Sequence, residues 1–195
     1  SYNNRAIAMA ELGDTDEALE WYDKAINADK KYAAAHYNKG VLLDKKLRPD
    51  EALKCLDDAI TLDPKKDNPR FYKGIVLGKM KRHEEALNCF QNVYRNNRNH
   101  LDAYFQTGIQ LAELGRHEQA VKVFDNILKK YEKFRDNANV IYAKSRSKAA
   151  LDQTGEALEL LRIATKPVSY THLRAHETPE HRGCPHRLEK KNGGG

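Results

Sequence analysis

Apolar side chains along most of this chain return at steps of three and four residues, the spacing that places them on one side of an α-helix. Between residues 33 and 63 the pattern reads Ala35, Leu42 and Leu43, then Leu53, Leu56, Ala59 and Ile60, which predicts two short amphipathic helices in succession. Stop and start signals fall between such stripes. Gly13 and Gly115 stand where a first helix should end, in the positive-φ conformation that glycine adopts without a Cβ penalty. Asp14 with Glu17 has capping-box spacing for the start of a second helix, and Pro49 falls at the first helical position of another, where proline is tolerated. Glu20/Lys24, Asp50/Lys54 and Glu118/Lys122 have the i, i+4 spacing that adds modest support on exposed faces.

The stripes repeat. Glu17-Ala18-Leu19 recurs as Glu51-Ala52-Leu53, Glu85-Ala86-Leu87 and Gln119-Ala120-Val121 at steps of 34 residues, and Glu156-Ala157-Leu158 follows after 37. Gly40, Gly74 and Gly108 keep the same 34-residue step, as do Tyr22, Leu56, Phe90 and Phe124. A fixed period of this length means a stacked architecture. The small residues, Gly40, Gly74 and Gly108 on first helices and Ala18, Ala52, Ala86, Ala120 and Ala157 on second ones, let two helices approach until Tyr22 or Phe90 interlocks with its surroundings. One helix pair cannot bury its own stripe, so each unit needs its neighbour.

The run Tyr37-Asn-Lys-Gly40 through Ala52, Leu56, Ala59 and Asp63-Pro64 resembles the tetratricopeptide repeat (TPR), a unit of two antiparallel helices. The resemblance covers residues 1–166, in units at about 1–32 (partial), 33–66, 67–100, 101–134 and 138–166 (partial). It implies an all-α, right-handed solenoid of stacked helix pairs. The family's Trp near the unit start is replaced by Tyr2, His36, Arg70, Tyr104 and Ile141, and the closing proline is kept only at Pro64. The fifth unit, with Ser145 for glycine and three extra residues around 133–137, departs furthest.

The resemblance also implies that first helices line a concave face. Its fifth position holds Asn3, Tyr37, Phe71, Phe105 and Tyr142, and its ninth holds Ile7, Val41, Ile75, Ile109 and Arg146. Units two to four then present an aromatic and aliphatic ladder, flanked by Asn38, Asp44, Lys45, Asn68, Lys79 and Asp102, that suits a peptide or helical segment. The same aromatics can equally pack against their own neighbours. The carboxylate clamp of chaperone-tail-binding repeats is disfavoured: Asn38 fits its middle requirement, but Asn3 and Ile7 precede it and Asn68 and Tyr72 follow it.

With 40% hydrophobic and 32% charged residues, and no apolar run long enough to cross a bilayer, the composition points away from a membrane protein. Three cysteines make no disulfide scaffold, so a reducing, cytoplasmic setting is expected. Cys55 and Cys89 occupy equivalent sites one repeat apart and read as small residues in a helix seam; His83 and His117, also one repeat apart, read as packing residues at a helix start. No phosphate loop, Ser/His/Asp arrangement or metal-binding His pair occurs in 1–166, so no catalytic residue, metal or cofactor is expected. The basic runs Pro64-Lys-Lys-Asp and Arg95-Asn-Asn-Arg read as solvated inter-unit loops without the continuous stripe that nucleic acid requires.

Residues 167–195 differ in kind. They hold four of the eight histidines, three of the six prolines and no apolar period. His172, His176, His181, Cys184 and His186 attract a zinc reading, but their spacing matches no standard finger or ribbon. Residues 167–178 resemble the translated read-through of a sequencing adapter, and the tail is expected to be non-native and without structure. Removing it takes Lys plus Arg from 34 to 29 and Asp plus Glu from 28 to 25, so the net charge falls from +6 to +4. The start at Ser1, inside a helical stripe, likewise reads as a fragment. The expected function is a non-catalytic scaffold binding a protein partner. The alternative is an accessory array of a larger enzyme or signalling protein.

Overall fold

The computed structural model describes residues 1–165, which form one compact unit; the adapter-like segment 167–195 and its histidines lie outside the described residues. Ten α-helices follow in order: α1 (Tyr2–Leu12), α2 (Thr15–Ala28), α3 (Ala33–Lys45), α4 (Pro49–Leu62), α5 (Asp67–Lys79), α6 (His83–Asn96), α7 (Leu101–Glu113), α8 (His117–Lys130), α9 (Ala138–Ala150) and α10 (Thr154–Ala164). They stack as five helix pairs in an all-α solenoid, each helix packing on the next. The three extra residues before α9 are taken up by a short 3₁₀ turn, Glu132–Phe134.

Every pair turns its corner in the same way. A left-handed residue ends the first helix at Gly13, Leu47, Lys81, Gly115 and Asp152. Its N–H reaches the carbonyl three residues back and the next N–H reaches the one five back, as in Gly13 to Ala10 with Asp14 to Met9, and Leu47 to Asp44 with Arg48 to Leu43. This pair of hydrogen bonds satisfies carbonyls that the helix end would otherwise leave open. The expected capping box at Asp14 is only half formed. Asp14 accepts from the Glu17 N–H at 3.3 Å, but its own N–H is already committed to Met9, and the Glu17 carboxylate accepts from Trp21 Nε1 at 3.0 Å instead.

The small-residue positions are required by packing. A Cβ built on Gly74 would lie 2.8 Å from the Phe90 ring, one on Gly108 would lie 2.5 Å from Phe124, and one on Gly40 would lie 3.0 Å from Leu56. In the second, third and fourth pairs the large residue of the second helix therefore occupies the space beside the glycine of its own first helix. Ala18, Ala52, Ala86 and Ala120 are fully buried, and Ala157 nearly so.

Charged side chains tie units together more than they brace single helices. None of Glu20/Lys24, Asp50/Lys54 and Glu118/Lys122 forms an ion pair among the described residues; Lys24 lies over the Trp21 ring, 4.0 Å from its centre. Lys39 instead pairs with Asp23, Lys73 with Asp57, and Lys144 with Asp125 at 2.7 Å, each crossing from one unit to the next.

Candidate functional site

Successive first helices approach one another at α1–α3, α3–α5 and α7–α9, whereas no two second helices come comparably close. The first helices therefore line the inner, concave side. Of the ladder residues, Tyr37, Val41, Phe71, Ile75, Phe105 and Ile109 are half-buried there, and Tyr142 is 52% exposed.

The aromatic members serve two purposes. Phe71 meets the fully buried Phe90 edge-on with centroids 5.5 Å apart and also contacts the His100 ring at 4.7 Å. Phe105 contacts Phe124 at 5.9 Å, and Tyr37 meets Tyr72 edge-on at 6.2 Å. Each ring thus continues the core outward and leaves part of itself on the inner face. Asn3, by contrast, is buried and accepts from Asn38 Nδ2 at 3.1 Å, which leaves only the half-buried Asn38 at the inner surface.

The polar flank is partly self-paired. Asp44 is only 6% exposed and accepts from Tyr72 Oη at 2.9 Å and from Lys79 Nζ at 2.7 Å. Asp44 and Lys79 therefore clip α3 to α5, while Lys45, Asn68 and Asp102 remain exposed. Tyr72, absent from the sequence-derived ladder, sits one position after Phe71 and completes this clip. Burial pushes its hydroxyl well above the ordinary tyrosine value, and the bond to Asp44 adds to that. Burial alone raises Tyr37.

Two hollows open on the inner side. One, of about 330 Å³, lies between the first two units and includes Ile7, Tyr37, Asn38, Val41 and Lys45. The other, of about 190 Å³, lies between the last two and includes Ile109, Glu113, His117 and Arg146. Gln110, which the sequence did not single out, is buried beside His83: the ring Nδ1 donates to its side-chain oxygen at 2.9 Å. The thiols of Cys55 and Cys89 are half-buried, and burial raises both above the ordinary thiol value. Among the described residues, no three His, Cys, Asp or Glu side chains gather as a metal site.

Five stacked helix pairs with an apolar inner face define a helical-repeat scaffold of the kind that binds other proteins. Three family models match, one described as TPR repeat over residues 2–46 and two as tetratricopeptide repeat over 33–66 and 73–133. The chain belongs to the tetratricopeptide repeat family, whose fold is that of a protein-interaction scaffold and is typically non-catalytic.

Among solved structures it is similar to YrrB, described as a TPR protein with an unusual peptide-binding site, at 27% identity over 89% of each chain and a TM-score of 0.74. It shares its fold with MamA from Desulfovibrio magneticus RS-1 (18% identity, 91% of this chain and 96% of that one, TM-score 0.77). A further MamA structure gives 19% identity, 84% and 87% coverage, and a TM-score of 0.75. No curated protein matches the chain. No helix among the described residues is long and apolar enough to cross a membrane.

Proposed function

We propose that this array is a non-catalytic scaffold that holds a peptide or helical segment of a protein partner against the inner face of its second to fourth units. The observation that carries this reading is the set of half-buried apolar residues on adjacent first helices, Tyr37, Val41, Phe71, Ile75, Phe105 and Ile109, with exposed Lys45, Asn68 and Asp102 beside them. Surface of this kind gains free energy by leaving water, and polar neighbours give it register. YrrB, at 27% identity, is described as having a peptide-binding site, which supports the same use of the fold here. A cytoplasmic setting belongs to the proposal, since Cys55 and Cys89 are free thiols.

Panning the chain against a peptide library and measuring the selected peptides by calorimetry tests this reading. Phe71→Ala with Phe105→Ala is expected to weaken binding at least about tenfold, roughly 1.4 kcal/mol. Because those rings also touch Phe90 and Phe124, Val41→Lys with Ile109→Lys serves as a second variant that puts charge on the inner face. Selected peptides that bind both variants as tightly as the parent overturn the proposal.

A further inference from the structure

The outer side of the solenoid carries a repeated device with one exception. At three of the four junctions between units an aspartate in the middle of one second helix bridges to a lysine on the next first helix: Asp23 to Lys39, Asp57 to Lys73, and Asp125 to Lys144. At the junction of the third and fourth units the equivalent residues are Gln91 and Thr107. The Thr107 hydroxyl donates to its own helix, to the Ala103 carbonyl at 2.9 Å, so these two positions form no bridge, and the ion pair of this junction is Arg116 with Glu84 at the far end of the helices. A third exchange coincides with these two. The glutamate that opens each Glu-Ala-Leu triplet, at Glu17, Glu51, Glu85 and Glu156, is Gln119 in this unit.

At this junction lies a cleft of about 540 Å³ between α6 and α8, floored by Tyr104, Thr107 and Leu111 of α7 and lined also by Gln91 and Gln119. Its cations are Arg95, Arg98 and Lys122, and no carboxylate lines it. None of the three has an ion-pair partner among the described residues, although twelve other Lys or Arg side chains do. Arg95, expected in a solvated loop, belongs to the last turn of α6.

The cleft is also stiffened. Tyr94 and Tyr104 stack with centroids 4.1 Å apart and planes 6° from parallel, and the Arg98 guanidinium lies over the Tyr94 ring, 4.9 Å from its centre. Asn126 Nδ2 donates to Tyr104 Oη at 3.1 Å, and Tyr131 Oη lies 3.4 Å from Tyr94 Oη. Two carboxylates and one lysine of the other junctions are missing here, a net gain of one positive charge, and three cations without ion pairs converge over a preformed, half-apolar hollow. Such a surface favours an anionic partner.

We propose that this outer cleft is a second docking surface, which takes an acidic segment of a protein partner with its carboxylates set among Arg95, Arg98 and Lys122. Nucleic acid fits less well. Tyr94 and Tyr104 already stack on each other at 4.1 Å, which leaves no room for a base between the rings, and the cations form a cluster where a phosphate backbone needs a track.

The test uses the full chain and a fluorescein-labelled poly-glutamate peptide, with a poly-glutamine peptide and a poly-uridine oligomer as comparators, read by fluorescence anisotropy. Poly-glutamate is expected to bind, to weaken as salt rises, and to bind the Arg95→Gln, Arg98→Gln, Lys122→Gln variant at least about tenfold more weakly. The reverse variant, Gln91→Asp, Thr107→Lys and Gln119→Glu, rebuilds the bridge of the other junctions and is expected to lose binding while keeping its helical circular dichroism. Phe71→Ala with Phe105→Ala should leave poly-glutamate binding unchanged, which separates this cleft from the inner face. Equal affinity for poly-glutamine, tighter binding of poly-uridine, or binding undiminished in both cleft variants overturns the proposal.

Discussion

Leu47 holds a backbone conformation better suited to glycine. Its φ is 58°, in the left-handed region, and its side chain is 88% exposed, so the strain is offset by no packing. The same corner one repeat earlier is made by Gly13 at φ 90°, and two repeats later by Gly115 at φ 74°. Left-handed geometry costs an L-residue about 1–2 kcal/mol, while glycine loses part of that advantage through its freer unfolded state. Leu47→Gly is therefore expected to stabilise the chain by about 1 kcal/mol, read as a higher urea midpoint with unchanged slope. A midpoint that stays or falls would show that the corner is not strained. Gly40, Gly74 and Gly108 have the opposite logic: their φ is ordinary, and Phe90, Phe124 and Leu56 fill the space a Cβ would take. The sequence separates the two kinds: Gly40, Gly74 and Gly108 recur at every 34-residue step, whereas Gly13 and Gly115 stand three steps apart with Leu47 and Lys81 at the corners between them.

Between elements, the stacking rests on an apolar seam and on lateral clips. The Tyr72–Asp44–Lys79 clip joins α3 to α5, and its tyrosine resists ionisation because burial and the Asp44 carboxylate both favour the neutral phenol. Tyr22 and Tyr37 are raised in the same direction by burial. A raised folded-state value contributes stability that is complete below the unfolded tyrosine's 10.0 and is lost as pH rises above it, since the unfolded chain releases its protons first. The thermal midpoint should therefore fall as pH rises past about 10, and fall less steeply in Tyr72→Phe. At neutral pH that variant should cost about 1.5–3 kcal/mol for the lost bond to a charged acceptor. An identical alkaline fall in parent and variant would count against the clip. The apolar seam was legible beforehand, because Ala52, Gly74 and Phe90 mark it by size at fixed spacing. The clips were not: they join Asp44 to Tyr72 and Lys79, or Asp57 to Lys73, and nothing within one unit tells which polar residue meets which across a junction. The i, i+4 rule pointed instead at Glu118 and Lys122, and once inter-unit geometry is known Lys122 belongs to the outer cleft.

For the whole molecule, stability accrues junction by junction, so its loss should be local as well as global. The last described pair, α9–α10, covers the end of the cluster formed by Leu111, Phe124 and Ile127, and contributes Val140 and Ala143 to it. Burying a residue such as Val140 supplies about 1.5–3 kcal/mol, and its removal leaves an apolar face of α8 in water. A chain ending at residue 137 is therefore expected to melt lower than the parent and to exchange the amide hydrogens of α7 and α8 faster, with α3 and α4 little changed. The matched deletion is 167–195, the segment read as adapter sequence, which is expected to leave the melting midpoint and every exchange rate in α1–α10 unchanged. Two distinct outcomes would overturn these readings. If the chain ending at 137 keeps full protection in α8, the fifth pair does not share the core. If loss of 167–195 lowers the midpoint, that segment belongs to the folded protein, and the array's net charge is the +6 of the whole chain.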